Sequence, residues 1–444
     1  MERLRLSNNK RYLINEDGTP FCWVGDTAWE LFHKLSLEEA DYYLKTRASQ
    51  GFTVIQAVLL SELNGIAAGN YYGKVPLKLT EYGYDPAQPM AEGKASYWDT
   101  ADTMLAIAGK YNMYIALLPS WGDKWNLAHG VGPVIFDQKN AYLYGEFLGK
   151  RYKAYDNIIW VMGGDRDLHT EEHFRIIRAM AEGIKESGAT QLMTMHPKGC
   201  TSSSYYFQQE DWLDFHMVQS SHGSRNYPNY KLIGEDYQKL PIKPVLEGEA
   251  RYEDIAVGFQ PGNGYFDEHD VRQSAYWAIC SGSFGYTYGQ NSIWAMIREK
   301  EVNDIFIMSW EKALFRPGGL QMQYLKKLLT KYQLHDRVPA SQLIKNNQEG
   351  ANHCTACRGD GYILVYSPNG VPFVIKEEIN LTGIKVLHWF NPRNGEVQET
   401  PVTEWTGNKF APPTAGRGQD WILIIRHSSI QLATQYQVRL QVQS

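Results

Sequence analysis

The sequence predicts an α/β chain: a (β/α)8 TIM barrel followed by a small all-β sandwich. Between residues 21 and 288, eight short apolar segments alternate with helical or long connecting segments, which implies parallel strands. Polar and aromatic residues collect directly after each apolar segment, as at the carboxyl end of a barrel. After Pro339 the helical period disappears. A doubly wound open sheet is the alternative, but the chain has no glycine-rich phosphate turn to support it.

The barrel prediction depends on strands and helices that follow one another in order. The predicted strands are Phe21–Gly25, Thr53–Leu60, Met113–Leu118, Ile158–Met162, Leu192–Met195, Phe215–Val218, Lys243–Leu246 and Phe284–Tyr288. The predicted helices are 37–50, 98–110, 140–155, 171–187, 268–281 and 320–329. The first of these helices should begin at a capping box, Ser36 with Glu39. The turn residues Asn15-Glu-Asp-Gly-Thr-Pro20 predict a short hairpin within residues 1–20, at one end of the barrel.

The fourth strand gives the clearest indication of a site. Five largely apolar residues, Ile158–Met162, precede Gly163-Gly164 and then Asp165-Arg166-Asp167. An apolar run without alternation is typical of a strand that is buried on both faces. The glycines allow a sharp turn, so Asp165 should stand at the carboxyl end of this strand.

Length and composition give the domain organisation. The chain has 444 residues, and we expect a barrel over 1–338, a sandwich over 339–427 and a polar tail over 428–444. The predicted sandwich strands are Tyr362–Tyr366, Phe373–Ile375, Val386–Trp389 and Trp421–Ile425, separated by Pro-Asn-Gly and Arg-Asn-Gly turns. The glutamine-rich tail from Ser428 is expected to be poorly ordered or foreign to the domain.

Charge and hydropathy exclude several classes of partner. The net charge is −5 without a basic block, which argues against nucleic acid. No apolar run reaches the roughly 18 residues that span a bilayer, so we expect no membrane partner. The start lacks the apolar segment of a signal peptide. The sequence as written therefore predicts a cytoplasmic protein, or a periplasmic or secreted one whose signal has been trimmed.

The five cysteines indicate neither a disulfide framework nor a metal. Cys22 and Cys280 lie in apolar runs and are expected to be buried thiols. Cys354 and Cys357 form one isolated CxxC pair, whereas a structural zinc site needs four ligands. An odd count favours a reducing compartment. We expect no metal and no cofactor.

Carboxylates follow strands four and seven, and a pair of carboxylates across a barrel mouth suits glycoside cleavage. Asp165 is the candidate on strand four. On strand seven, the period of two places Glu247 and Glu249 on the same face as Val245, so alternation leaves both open. Glu249 lies further toward the carboxyl mouth, and we prefer it as the nucleophile.

The other strand ends could form a polar and aromatic ring around this pair. The chain is rich in aromatic residues (13 Trp, 29 Tyr and 16 Phe), and aromatic faces beside hydrogen-bonding groups suit sugars. The candidate substrate-binding residues are Asp26, Trp29, Glu62, Trp121, Asp123, Arg166, His196, Gln219, His222, Arg251, Tyr286, Tyr288 and Trp294. Arg251 with Tyr286 or Tyr288 could keep the nucleophile ionised. A metal site built from Asp26, Glu62, His196 and His222 is the alternative, but it lacks an HxH pair.

Eight stretches in residues 1–335 carry a family resemblance: Gly25-Asp-Thr-Ala-Trp29, Gly51-Phe-Thr-Val-Ile-Gln56, Leu118-Pro-Ser-Trp-Gly-Asp123, Trp160-Val-Met-Gly-Gly-Asp165, Met195-His-Pro197, Gln219-Ser-Ser-His222, Pro244-Val-Leu-Glu-Gly-Glu249 and Tyr288-Gly289. They resemble the clan A glycoside hydrolases and, more closely, the apiosidase-like catalytic domain, glycoside hydrolase family 140. The following domain resembles the small collagen-binding-type sandwich, through 361–368 and 389–395. We do not take that label as a function.

This resemblance implies a retaining glycosidase with Asp165 as acid/base and Glu249 as nucleophile. Its substrate would be an oligo- or polysaccharide, and described relatives release apiose-linked side chains from pectin. The chain departs from the pattern at Gly164-Asp165, where most of the clan has Asn-Glu, and at Ala250, where we expect Pro. The competing functions are a non-catalytic carbohydrate-binding barrel and a metal-dependent barrel hydrolase.

Overall fold

The computed structural model describes residues 1–93, 95–377, 384–401 and 407–427. It contains the predicted barrel of eight parallel strands, which are β1 Val24–Thr27, β2 Val54–Leu60, β3 Tyr114–Ser120, β4 Ile158–Gly163, β5 Met193–His196, β6 His216–Gln219, β7 Val245–Glu249 and β8 Ser283–Tyr288. Their order in the sheet is β6-β7-β8-β1-β2-β3-β4-β5, and a short antiparallel strand, Thr201–Ser202, pairs with β6. The barrel is nearly closed. Asp214, two residues before β6, donates its backbone N–H to the carbonyl oxygen of Met193 in β5 at 2.8 Å.

Among the described residues, seven longer helices surround the strands: α1 Leu37–Ser49, α2 Tyr97–Lys110, α3 Gln138–Tyr152, α4 Glu171–Glu186, α5 Asn229–Tyr237, α6 Glu268–Cys280 and α7 Pro317–Lys331. The predicted capping box of Ser36 and Glu39 opens α1. Helix α5 was not predicted from the sequence, because it is short, contains Gly234 and begins next to Pro228. A hairpin is present, pairing Arg5–Leu6 with Leu13–Ile14, but its turn lies at residues 7–12 instead of at the predicted turn residues 15–20.

The strands extend further into the polar residues than predicted. β1 ends at Thr27 rather than Gly25, and β7 ends at Glu249 rather than Leu246. The ladder of backbone hydrogen bonds continues whatever the side chains are, so polar residues at the carboxyl ends still belong to the strands. Their side chains therefore follow the strand alternation, which decides whether each faces the barrel mouth or the helices.

The second domain is all-β. Its strands are β9 Val338–Pro339, β10 Ile344–Lys345, β11 Thr355–Gly359, β12 Tyr362–Ser367, β13 Phe373–Ile375, β14 Ile384–Phe390, β15 Val397–Glu399, β16 Lys409–Phe410 and β17 Trp421–His427. They form a six-stranded sheet, ordered β9-β11-β12-β17-β14-β15, and a three-stranded sheet, β10-β13-β16. The tail predicted over 428–444 lies outside the described residues.

Helix α6 packs between the barrel and the sandwich. The Arg272 guanidinium on α6 pairs with Asp420 of the sandwich at 2.7 Å, and both side chains are buried. Tyr276 stacks on Tyr366 with ring centroids 5.2 Å apart. One hydrophobic cluster contains residues of both domains, including Cys280 of α6 and Cys357 of β11. The interface therefore resembles a continuous core more than a surface contact.

Two further expectations concern absences. In the described part of the chain, no helix is long and apolar enough to cross a membrane. The five cysteines are all free thiols, and Cys22 is partly rather than fully buried. Cys354 belongs to the core of the sandwich, whereas Cys357 belongs to the cluster shared with the barrel.

Candidate active site

The turn after β4 places Asp165 at the carboxyl mouth of the barrel. Gly163, Gly164 and Asp165 have φ angles of 88°, 118° and 53°. A Cβ on Gly163 would lie 2.5 Å from the His196 carbonyl oxygen, and one on Gly164 would lie 2.6 Å from the Gly122 nitrogen. Only glycine fits these two positions. The two glycines therefore let the chain turn sharply after β4, in the narrow space between the ends of the neighbouring strands β3 and β5.

A local irregularity separates the two glutamates of β7. Val218 pairs with Glu247, but the next residue of β6, Gln219, pairs with Glu249. This shift has the character of a β-bulge, which re-aims side chains. Glu247 faces the helices and accepts a hydrogen bond from Asn229 of α5 at 2.9 Å. Glu249 lines the cleft at the barrel mouth. The alternation that left both glutamates open therefore does not continue to the end of the strand.

Two histidines bind Glu249. Nε2 of His196 lies 2.8 Å from Glu249 Oε2, and Nε2 of His222 lies 3.0 Å from Oε1. Burial raises the pKa of Glu249, but these hydrogen bonds outweigh it and lower the pKa to about 2. Glu249 is therefore a carboxylate near neutral pH, although it is almost completely buried.

The hydrogen bonds of His196 define its tautomer and connect the two acids. The Asp165 backbone N–H donates to His196 Nδ1 at 3.2 Å, so Nδ1 carries no proton. The proton on Nε2 is then the one that His196 donates in its hydrogen bond to Glu249. One imidazole thus fixes the backbone of the first candidate acid and the carboxylate of the second.

Asp165 has the opposite electrostatic character. Burial and the negative charge of Glu249 raise its pKa, whereas His196 and Arg166 act to lower it. Arg166 Nη1 lies 3.2 Å from the Asp165 carboxylate and 2.7 Å from the Asp165 carbonyl oxygen. Two neighbouring carboxyl groups with pKa values pushed apart can serve as a proton donor and an ionised nucleophile.

The cleft around these acids has a volume of about 850 Å³. It brings together nine residues that the sequence analysis selected: Trp29, Glu62, Trp121, Asp165, Arg166, Gln219, His222, Glu249 and Trp294. His196 lies directly beneath it, 5.4 Å from the Trp29 ring and 5.8 Å from the Trp121 ring. Burial and the charge of Glu30 raise the pKa of Glu62 to about 8, so this carboxyl group of the cleft is protonated near neutral pH.

Three predicted binding residues face the helices instead of the cleft. Thr287 of β8 points into the barrel, where it accepts a hydrogen bond from Trp23 at 3.1 Å. Its neighbours Tyr286 and Tyr288 consequently point outward, toward Ser274 and Glu253. On β1, Asp26 also points outward and pairs with Arg47 at 2.6 Å. The positions of these three residues in the sequence, near the ends of strands, did not show that their side chains point away from the cleft.

Asp123 and Arg251 likewise have structural partners. Asp123 pairs with Lys124 at 2.6 Å and accepts the Gly132 N–H, which holds a loop beside the cleft. Arg251 donates to Gln273 at 2.9 Å and to the Arg225 carbonyl. The expectation that Arg251 with Tyr286 or Tyr288 keeps the nucleophile ionised is therefore corrected. His196 and His222 are the groups that contact Glu249.

Several residues that line the cleft were not predicted from the sequence. Tyr252 packs its ring 4.4 Å from that of His222, and Asp167 accepts a 2.6 Å hydrogen bond from Tyr206. Other missed lining residues are His129, His169, Lys198, Ile255, Phe259, Pro261, Asn291, Ile305 and Phe306. Most belong to long loops with no periodic pattern, although Asp167 and Tyr252 follow their catalytic candidates by two and three positions.

The proposed metal alternative has little geometric support. Asp26 faces α1 through Arg47, away from the other suggested ligands. Within the ranges that the structure describes, no group of three or more His, Cys, Asp or Glu side chains could hold a metal ion.

Comparison with known proteins gives two family matches. Residues 7–336 match the model described as "Apiosidase-like, catalytic domain", and residues 338–426 match "Putative collagen-binding domain of a collagenase". A search of curated proteins gave no match.

Solved structures agree with these matches. A structure titled "Glycoside hydrolase" is 31% identical, with a TM-score of 0.84, covering 96% of this chain and 97% of its own. A family 5 glycoside hydrolase from Bacteroides vulgatus ATCC 8482 is 30% identical, with a TM-score of 0.83 over 96% and 94% of the two chains. An exo-β-1,4-mannosidase from an Opitutaceae bacterium, 13% identical with a TM-score of 0.52 over 74% and 63%, shares the fold.

Proposed function

Because this chain belongs to the apiosidase-like family and is a glycosidase of the barrel type, we propose that it cleaves its substrate by double displacement, with Asp165 as acid/base and Glu249 as nucleophile. In the first step Asp165 protonates the leaving oxygen while Glu249 attacks the anomeric carbon and forms a glycosyl ester. In the second step Asp165 removes a proton from water, which hydrolyses the ester with net retention of configuration.

The contrast in protonation between the two acids carries this proposal. Glu249 has a pKa of about 2, so it is ionised and available for attack. The pKa of Asp165 is raised by burial and by that same charge, which favours the protonated form that a general acid needs. When Glu249 becomes an ester it loses its charge. The pKa of Asp165 then falls, which favours its second role as a base.

The substrate that we propose is a plant-type glycan, specifically an apiose-containing side chain of pectin. The family description supports the apiose component. The residues of the cleft support a hydroxylated ligand, since Glu62, Gln219 and Arg166 offer hydrogen-bonding groups beside the indole rings of Trp29 and Trp121. Fold and catalytic pair alone do not determine the sugar.

The test is product analysis with a panel of plant polysaccharides and aryl glycosides. NMR recorded before mutarotation shows the anomeric configuration of the released sugar. Release of apiose-linked sugars that keep the anomeric configuration of the substrate would support the full proposal. A product of inverted configuration would contradict the double displacement. Hydrolysis of other glycans alone would contradict the pectin substrate and leave the glycosidase assignment intact.

A further inference from the structure

One wall of the cleft is apolar. Tyr252, Ile255 and Val257 form a buried cluster with Phe266, and Trp294 packs against it. The Phe306 ring continues the wall, 5.8 Å from that of Trp294. The same cleft is also lined by charged and polar groups, including His129, Asp165, Arg166, Asp167 and Lys198. A ligand that fills the cleft must therefore present an apolar face to the apolar wall and also offer hydroxyl or charged groups.

Phe259 stands at the rim of the apolar wall and remains 66% exposed to solvent. Its backbone adopts the left-handed conformation, with φ of 60°. This conformation costs a residue with a Cβ about 1–2 kcal/mol, and it is rare for a bulky side chain. Most of the ring stays exposed to solvent, so the burial that it gains does not explain why a phenylalanine occupies this strained position.

The turn that carries Phe259 is anchored to His222, which contacts Glu249. The Gly258 N–H donates to the His222 carbonyl at 2.8 Å, and the Phe259 N–H donates to the Ala256 carbonyl at 2.8 Å. The Phe259 ring lies perpendicular to the His222 ring, with centroids 5.8 Å apart. The same His222 contacts the nucleophile Glu249. The exposed ring is thus held at a defined distance from the reacting centre.

We propose that Phe259 is a specificity-determining residue, whose exposed ring stacks on the apolar face of the sugar unit next to the one that is cleaved. This inference rests on the proposed glycosidase function and adds a subsite to it. Stacking would cover the ring with a sugar and so recover apolar burial on binding. Ile305, 64% exposed on the same wall, would contact the edge of that unit.

The test compares Phe259→Ala and Phe259→Tyr with wild type on oligosaccharides and on a single-sugar aryl glycoside. An aromatic contact of this kind is worth about a 3- to 10-fold change in affinity. Phe259→Ala should raise KM on the oligosaccharide by that factor, with a several-fold smaller effect on the aryl glycoside. Phe259→Tyr should restore the oligosaccharide KM. The matched control is Phe315→Ala, since Phe315 is 55% exposed and lies outside the cleft lining.

Binding measurements separate this inference from the catalytic proposal. Calorimetry with Glu249→Gln, alone and combined with Phe259→Ala, should show the same loss of oligosaccharide affinity without turnover. Glycan binding that depends on Phe259 without hydrolysis by wild type would contradict the proposed reaction alone. The stacking assignment would be overturned if Glu249→Gln bound oligosaccharide equally well with and without Phe259→Ala. It would also be overturned if Phe259→Ala weakened long and short substrates equally, or if no glycan bound at all. Phe259→Gly, which relieves the left-handed strain, should raise Tm while it weakens binding.

Discussion

Glu247 and Glu249 lie two residues apart on β7 and are both buried, yet their acidities differ widely. Burial raises the pKa of Glu247 to about 8, although Asn229 and Ser220 donate hydrogen bonds to it. Glu249 meets the same penalty of burial, but hydrogen bonds from His196 and His222 bring its pKa down to about 2. One residue is a neutral acid in the helical layer, and the other is a carboxylate in the cleft.

The difference shows that burial alone does not decide the charge of a carboxyl group. Donors from one amide and one backbone N–H leave Glu247 neutral, whereas two imidazoles ionise Glu249. The irregular register at Gln219 decides which set of partners each glutamate meets. The position of each glutamate along β7 therefore determines its hydrogen-bond partners, and these partners determine its pKa.

The largest expected effect distinguishes the two glutamates directly. Glu249→Gln removes the proposed nucleophile but preserves the size of the side chain, and we expect kcat to fall by roughly 10⁴-fold or more. Glu247→Gln is the matched control and should keep kcat within about threefold of wild type, because it replaces one neutral group with another. Initial rates on the best glycan of the panel measure both. A comparable loss of kcat in the two variants would contradict the separate roles proposed for Glu249 and Glu247.

The second expected effect concerns the partner acid. Asp165→Asn removes the proposed proton donor, and general acid catalysis contributes roughly 10²–10⁴-fold. The loss of kcat/KM should be greatest for natural glycans and much smaller for aryl glycosides whose leaving groups need no proton. Comparing the two substrate types measures this directly. An equal loss on both would show that Asp165 is not the acid.

The third expected effect tests the histidines as the cause of the low pKa of Glu249. His222→Ala removes one hydrogen bond to the carboxylate, so the pKa should rise and the protonated, inactive form should extend to higher pH. The acidic limb of the kcat/KM profile should then move upward in pH, with a loss of about 10- to 100-fold. His222→Gln keeps an amide donor and should shift the limb less. An unchanged acidic limb in His222→Ala would contradict this role.

The smallest expected effect is on stability and concerns Glu247. Its pKa is 4.5 in the unfolded reference and about 8 in the folded protein. Between these values the folded state binds more protons than the unfolded state, so this group makes the free energy of unfolding fall as pH rises from about 4.5 to 8. Glu247→Gln cannot titrate. Its Tm should therefore decline less than that of wild type between pH 5 and pH 8, as measured by calorimetry.

The sequence was sufficient for the architecture and for the site at β4. Eight apolar segments with polar ends predicted the barrel, and Gly163-Gly164-Asp165 located the candidate acid at the mouth of the barrel. The position of Glu249 nearer the end of β7 correctly favoured it over Glu247 as the cleft residue. These features are local in the chain, so periodicity and turn chemistry can indicate them.

Side-chain direction at the strand ends was much harder to predict. Asp26 lies where β1 continues two residues beyond its predicted end, whereas β8 ends at Tyr288 as predicted. On β8 the end was right, but the face that Tyr286 and Tyr288 occupy was not, and an error of one residue in the alternation reverses the face. Phe259 and Lys198 come from loops that reach the cleft only after the chain has folded. Hydrogen bonds that join distant segments, such as those of Glu249 with His196 and His222, have no counterpart in the spacing of residues along the sequence.

The core shared across α6 bears on how this chain could change by recombination. Tyr276 stacks on a sandwich residue, and Arg272 has its counter-charge, Asp420, in the other domain. A gene carrying the barrel alone would leave that guanidinium without its carboxylate and would expose an aromatic surface to water. A sandwich borrowed from another protein would have to supply a complementary core as well as the acid. The two domains are therefore expected to be inherited and exchanged together.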